Sequence, residues 1–234
     1  MNTKMITTLL FLLLINTLSY GQNKSENRSI GSFDGITVCC GIDLYITEGN
    51  SSEITVETNF PEYLSRILTE VKNNTLKISF DGNIINKRPN TMWMKVYVSA
   101  NNLTAIKASS GADVYSTTPL SAHDIKLSAS SGADIKIELN AQSLDCSASS
   151  GSDIKLTGTA VYALAKASSG SDINMRNMVV KKAEASASSG SDVILHVTEE
   201  LKAKASSGGD VTYKGNPKTV DKKKSSGGGV RAIN

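Results

Sequence analysis

The sequence predicts an all-β fold: a parallel β-helix or β-solenoid with coils of about 19–20 residues and an irregular, β-rich N-terminal cap. Three observations lead there. The first is a six-residue phrase, SSGADV at 109–114, which returns at 130, 149, 168, 188 and 206 and closes as SSGGGV at 225–230. A fixed interval of this size means one supersecondary unit per period. The second is period-2 alternation on both sides of the phrase, the mark of a strand with one buried face. The third is composition. Aromatic residues make up only 5% of the chain, so the core must be built from small and β-branched side chains stacked coil on coil.

Within a repeat, the residue before Ser-Ser is Ala108, Ala129, Ala148, Ala167, Ala187, Ala205 and finally Lys224. Two residues earlier stand Ile106, Leu127, Cys146, Ala165, Ala185, Ala203 and Lys222. After the phrase's glycine comes a β-branched column, Val114, Ile135, Ile154, Ile173, Val193, Val211 and Val230. Each repeat therefore carries two short strands around Ser-Ser-Gly-x-Asp. The glycine is either a corner needing positive φ or a place where backbones approach closely. Parity across the phrase also permits one bent, continuous strand. Short segments rich in Ser, Gly and β-branched residues argue against a helical repeat.

Taken in order, residues 1–21 read as a secretory signal peptide. Lys4 supplies the charged start, Ile6 to Ile15 the apolar run, and Ser19-Tyr20-Gly21 the cleavage site. The run is short against the ~20 apolar residues a membrane span needs, so no stable membrane insertion is expected after cleavage. No cysteine follows the cleavage site to carry a lipid. Residues 22–31 are polar and read as a disordered leader. Residues 32–100 read as a capping region. In it, Cys39-Cys40-Gly41-Ile42-Asp43 echoes the later phrase, and Ile54 to Glu57 alternates as a strand. Pro61 to Ile67 suits one helical turn or two, and Asn73-Asn74 is a turn between Leu68–Val71 and Leu76–Phe80. Residues 101–234 hold the solenoid repeats, continuous with the cap over 32–230. In the last repeat Lys222, Lys223 and Lys224 replace apolar residues and Gly229 replaces the aspartate. Lysines on a terminal strand refuse further strand addition; a polyanion-binding patch is the alternative.

The chain resembles a family of secreted bacterial proteins described as putative auto-transporter adhesin, head GIN domain. The resemblance rests on Phe33-Asp34-Gly35-Ile36, on Gly41 to Gly49 (GIDLYITEG), on Leu76-Lys77-Ile78, and on Val96-Tyr97-Val98 running into the Ser-Gly-x-Asp-Val coils. It covers about residues 31–230 and implies parallel β-helical coils, with no catalytic residues to carry over. A true autotransporter ends in a membrane barrel of many alternating segments of about 10 residues. The sequence shows none, so export by that route is not expected.

The best candidate site is the aspartate column Asp113, Asp134, Asp153, Asp172, Asp192 and Asp210, with Asp43 as a possible seventh member. Carboxylates stacked about 5 Å apart repel by roughly 0.8 kcal/mol per neighbour at water-like dielectric, so something must compensate. The expectation is that each Asp caps its own turn, helped by lysines such as Lys136 and Lys155. Calcium shared between coils is the alternative, although calcium-binding β-rolls repeat every nine residues or so with several acids per site. The serine columns have no matching histidine; His123 and His196 are the only two. A Ser–His–Asp triad is therefore not expected, nor a zinc site. Of three cysteines, Cys146 falls in an inward column, and Cys39 and Cys40 are adjacent without forming C-x-x-C.

The resulting expectation is an exported, non-enzymatic, adhesin-like or structural envelope module, in the periplasm, on the outer-membrane surface or outside the cell. Its partner would be a surface glycan or protein. A net charge of +3 argues against nucleic acid, and no motif calls for a cofactor. The competing reading is a polysaccharide-processing β-helix enzyme. That needs clustered acids with Arg or Lys in a groove and aromatics to stack on sugars. The repeats offer only Arg176 before the tail, and no Trp.

Overall fold

A computed structural model describes residues 24–50, 53–82 and 87–233. The signal peptide read at 1–21 lies outside the described residues. The rest is one 17-stranded sheet wound into a parallel β-solenoid, as the repeats predict.

The regular coils run from β8 (Ala105–Ser109) and β9 (Asp113–Ser116) through β10 (Leu120–Ser130), β11 (Asp134–Ser149), β12 (Asp153–Ser168), β13 (Asp172–Ser188) and β14 (Asp192–Ser206). They end in β15 (Asp210–Lys214), β16 (Thr219–Lys224) and β17 (Gly229–Ala232). Successive strands pair in parallel and in register, with Ile135 opposite Ile154 and Ala148 opposite Ala167. A strand such as β11 supplies both walls of the flattened tube. Ile135, Ile137 and Leu139 face inward, then the alternation slips, and Leu144, Cys146 and Ala148 face inward again. The slip is the wide corner.

The tight corner is Ser-Ser-Gly. Its second serine and its glycine both have positive φ, as in Ser150 (58°) and Gly151 (67°). Two left-handed residues in sequence make the sharp reversal of a type I′ turn. Thus the glycine is a corner and the strand is broken there, which excludes the bent continuous strand. A Cβ at Gly151 would meet nothing within 4 Å, so backbone angle and not crowding selects it. Left-handed serine is strained, but the turns are laddered like the strands: Gly151 N–H donates to Ser169 O at 3.2 Å. Close approach occurs one position later. A Cβ on Gly209 would stand 2.6 Å from Ser188 N. Where Ser171 occupies that buried site, its hydroxyl donates to Ala148 O (2.8 Å) and accepts from Ser168 N–H (3.1 Å).

The N-terminal third is wound out of chain order. β2 (Gly35–Val38) and β3 (Asp43–Glu48) already form a coil, with Cys40 and Gly41 in the left-handed corner. They pair directly with β8 and β9, Asp43 opposite Asp113. The intervening chain climbs to the far side. There β6 (Thr75–Phe80) and β7 (Met94–Ala100) add the terminal coil on β2 and β3. β4 (Glu53–Thr58) then pairs antiparallel with β7, and β5 (Ile67–Lys72) antiparallel with β6, across the Asn73-Asn74 turn. Pro61–Arg66 is a 3-10 turn. A coil thus lies inside the segment read as a cap.

The leader needs a correction. Lys24–Ser29 is not disordered: it is β1, antiparallel on β4. Arg28 holds it, donating to Ile67 O (2.5 Å), Leu64 O (3.0 Å) and Thr69 Oγ1 (3.2 Å). It lacks apolar alternation because it is a polar outer strand with nothing to bury.

Candidate functional site: the outer ladder face

The strand that leaves each tight corner turns alternate side chains outward, and the first of these is the aspartate. Pairing places Asp43, Asp113, Asp134, Asp153, Asp172, Asp192 and Asp210 in one row. Cations end it: Lys95 is opposite Asp43, and Arg231 Nη2 lies 2.6 Å from Asp210 Oδ2. The carboxylates do not cap their own turns. Asp134 Oδ1 accepts the N–H of Asp153, Asp153 that of Asp172, and Asp172 that of Asp192, at 3.1–3.3 Å. Asp134, Asp153 and Asp172 therefore each staple the next coil. The reason is geometric, because an outward strand residue faces its neighbour across the ladder and not the corner behind it. Burial and then the flanking Asp134 and Asp172 charges raise the Asp153 pKa, while its bond from Asp172 N–H lowers it. Asp192 is raised by burial, then by Asp172 and Asp210. Asp43 is raised by burial and Asp113, against Lys95. Among the described residues, no three His, Cys, Asp or Glu side chains gather as a metal-holding group.

Two residues along, the next outward row opens with aromatic rings. Tyr97, Tyr45 and Tyr115 stack at centroid spacings of 5.1 and 5.3 Å, with planes 18° and 21° apart. Their spacing is the strand spacing of the sheet. Lys95 Nζ sits 5.2 Å from the Trp93 ring and 5.8 Å from Tyr45. The phenols are anchored to acids, Tyr97 to Glu57 and Tyr115 to Asp113, each at 3.3 Å. Burial, followed by the charges of Asp113 and Asp43, pushes the Tyr115 pKa to about 12. Beyond Tyr115 the row continues as Lys136, Lys155 and Asn174. Two shallow grooves open there. One, of 360 Å³, runs between the Asp134–Asp153–Asp172 row and Lys136–Lys155; the other, of 290 Å³, is edged by Thr117, Glu138 and Thr157. Both begin at Tyr115. A 390 Å³ depression elsewhere is walled by Ile30, Phe33, Asn50, Ser99 and Asn101, with no titratable side chain.

The sequence reading finds the aspartate row and misses the tyrosines. A signal existed: Tyr45 and Tyr115 each stand two residues after the ladder aspartate. Tyr97 could not be aligned, because its coil follows Tyr45 in sequence yet lies on its other side. The other candidates stay apart from this face. His123 bonds Asp124 at 2.8 Å on the solvent side, and Cys146 is fully buried. Cys39 and Cys40 are free thiols at the first corner, with burial and the Cys40 hydrogen bond pushing the Cys39 pKa to about 12.

The family model described as putative auto-transporter adhesin, head GIN domain, matches residues 32–217. The chain belongs to that family. Among solved structures, a putative adhesin from Bacteroides fragilis superposes with a TM-score of 0.80 at 22% identity, over 91% of this chain and 97% of that one. A protein from Parabacteroides distasonis described as a putative lipid binding protein gives 0.71 at 18%, over 92% and 98%. A putative adhesin from Parabacteroides merdae gives 0.68 at 20%, over 92% and 97%. At such identities the head GIN likeness is one of fold. No curated protein matches the chain. Among the described residues no helix is long and apolar enough to cross a membrane.

Proposed function

We propose that this adhesin-like head GIN protein is exported, acts without catalysis, and binds a surface glycan or protein through the outer ladder face. The observation that carries the reading is the concentration of rings, carboxylates and amines on one regular wall, served by shallow grooves of 290 and 360 Å³. The arrangement suits a ligand laid along the surface. A glycosidase sets two carboxyl groups on opposite sides of a scissile bond. Here the acids share one wall, and Asp134, Asp153 and Asp172 each hold a backbone N–H. Export rests on residues 1–21 as a signal peptide.

Two measurements test the proposal. Mass spectrometry of the exported chain is expected to find Gln22 as its N-terminus; retention of residues 1–21 in the cytoplasm overturns export. Purified 22–234 is expected to bind intact Gram-negative cells or mucin-coated wells, and the paired change Tyr45→Thr and Tyr115→Thr to abolish it. Binding indifferent to that change removes the ladder face from the function.

A further inference from the structure

We propose that the Tyr97–Tyr45–Tyr115 rungs and the grooves beyond Tyr115 form the seat of a neutral, linear polysaccharide lying along the solenoid axis. The proposal rests on the binding-face reading above and names the ligand class.

The chain is poor in aromatics and packs its coils with Ala, Val, Ile and Leu. Yet its single Trp and three of its seven Tyr gather on one outward patch. Cross-strand stacking accounts for ring-on-ring contact. It does not account for rings held half-open to water, with Tyr97 among the few exposed large apolar side chains. Aromatic faces attract the C–H faces of sugars as apolar surface, while the polar tips remain wetted. The groups beside them suit hydroxyls. Asp43, Asp113 and Glu57 are acceptors, Lys95 and Lys136 are donors, and Thr117 offers both.

Charge narrows the class. Asp43 and Asp113 adjoin the rings, and Asp134, Asp153 and Asp172 line the 360 Å³ groove. Uronates, sulfates and phosphates would lie against these carboxylates, which outnumber the neighbouring cations Lys95, Lys136, Lys155 and, at the far end, Arg231. A neutral sugar escapes that repulsion and uses the carboxylates as hydrogen-bond acceptors. Periodicity narrows it further. One carboxylate recurs at each coil from Asp43 to Asp210, so a polymer that repeats along the axis meets the same acceptor at each step. A folded protein partner would gain nothing from that repetition. Rigidity adds to affinity, since Tyr115 and Tyr97 are fixed by Asp113 and Glu57 before any ligand arrives.

Calorimetric titration of the 22–234 chain with cello-, manno-, xylo- and laminari-hexaose, and with oligogalacturonate as the anionic control, tests this. At least one neutral hexasaccharide is expected to bind, with affinity unchanged by added salt, and oligogalacturonate not to bind. Tyr115→Thr is expected to weaken binding about tenfold. Should that variant melt early, Lys136→Glu, on an exposed site beside the ring, reports in its place and is expected to lower affinity several-fold. Binding by oligogalacturonate alone, no neutral binding, or neutral binding untouched by both variants overturns the proposal. If the tyrosine pair abolishes cell binding while no hexasaccharide binds or competes, the glycan assignment falls and the binding face stands. If cell binding ignores the tyrosines, both fall.

Discussion

The first coil, Gly35–Glu48, and a middle coil such as that ending in β13 are built on the same corner, yet their interiors differ. The first is lined by Ile36, Val38, Ile42, Leu44 and Ile46. The β13 wall offers Ala183, Ala185 and Ala187, opposite Ile173 and Met175. Large side chains on both walls hold them apart; alanine lets one wall approach the other. The outer faces differ too, with Tyr45 of the first coil stacked between Tyr97 and Tyr115 of its neighbours, and Asn174, Glu184 and Ser186 facing out from β13. The difference shows two sources of stability in one tube. The irregular end depends on a conventional apolar core with antiparallel strands folded over it. The regular coils depend on register, corner geometry and backbone satisfaction, with little volume in each side chain.

That contrast is sharpened first by volume changes, which carry the largest effects. Leu44→Ala opens a cavity at a fully buried site and is expected to destabilise by ~2–5 kcal/mol. Ala185→Gly, in the thin wall, removes one methyl and is expected to cost about 1 kcal/mol. Ala185→Leu overpacks the same wall and should cost roughly 1–3 kcal/mol or more. Urea melts of the three variants order the walls. A Leu44→Ala cost no larger than that of Ala185→Gly would remove the distinction.

The next effect belongs to the corner. Ser171→Val keeps a small buried side chain but removes the hydroxyl that joins Ser168 N–H to Ala148 O. Leaving buried backbone groups unpaired costs about 1–3 kcal/mol. Ser171→Ala loses the same hydroxyl but adds no methyl to the buried corner, a place that Ala112 fills in its own coil, and is expected to cost less. Equal losses from both changes would show that the lost hydroxyl and not volume decides the site.

The regular half was legible in sequence because one period is one coil, so aligned letters become stacked letters. Ser-Ser-Gly marked the corner, although only coordinates show that serine as well as glycine is left-handed there. The irregular half was legible in its strands and not in its winding. β6 and β7 follow β3 in sequence but stack on its far side, and no repeat reports that. The tyrosine row was lost with that order, since it requires Tyr97 beside Tyr45 and Tyr115 on the other flank. β1 was lost because an outer polar strand has no buried face to impose a period. The aspartate row was read correctly in place and incorrectly in its bonding, because alignment gives the column and not the direction in which a carboxylate reaches.

The smallest effects come from that row, and their sign distinguishes a staple from an ion site. Asp43, Asp153 and Asp192 have folded pKa values raised above 3.8. The folded state then holds protons more tightly than the unfolded chain, so their contribution falls as pH rises from 3.8 through the raised values and stays low above them. Acidifying from neutral toward about pH 4 is expected to recover that contribution. Asp153→Asn keeps an oxygen for Asp172 N–H and deletes two repulsions, so it should stabilise at neutral pH by under about 1 kcal/mol after screening. It should also flatten the pH response. Calcium sets the opposite signs. If coils share the ion, the midpoint rises with calcium over chelator and not with matched magnesium, and Asp153→Asn destabilises. The expected result is an unchanged midpoint with calcium and a small gain from Asp153→Asn. In that case Asp153 serves as a hydrogen-bond acceptor for the coil beside it and not as an ion ligand.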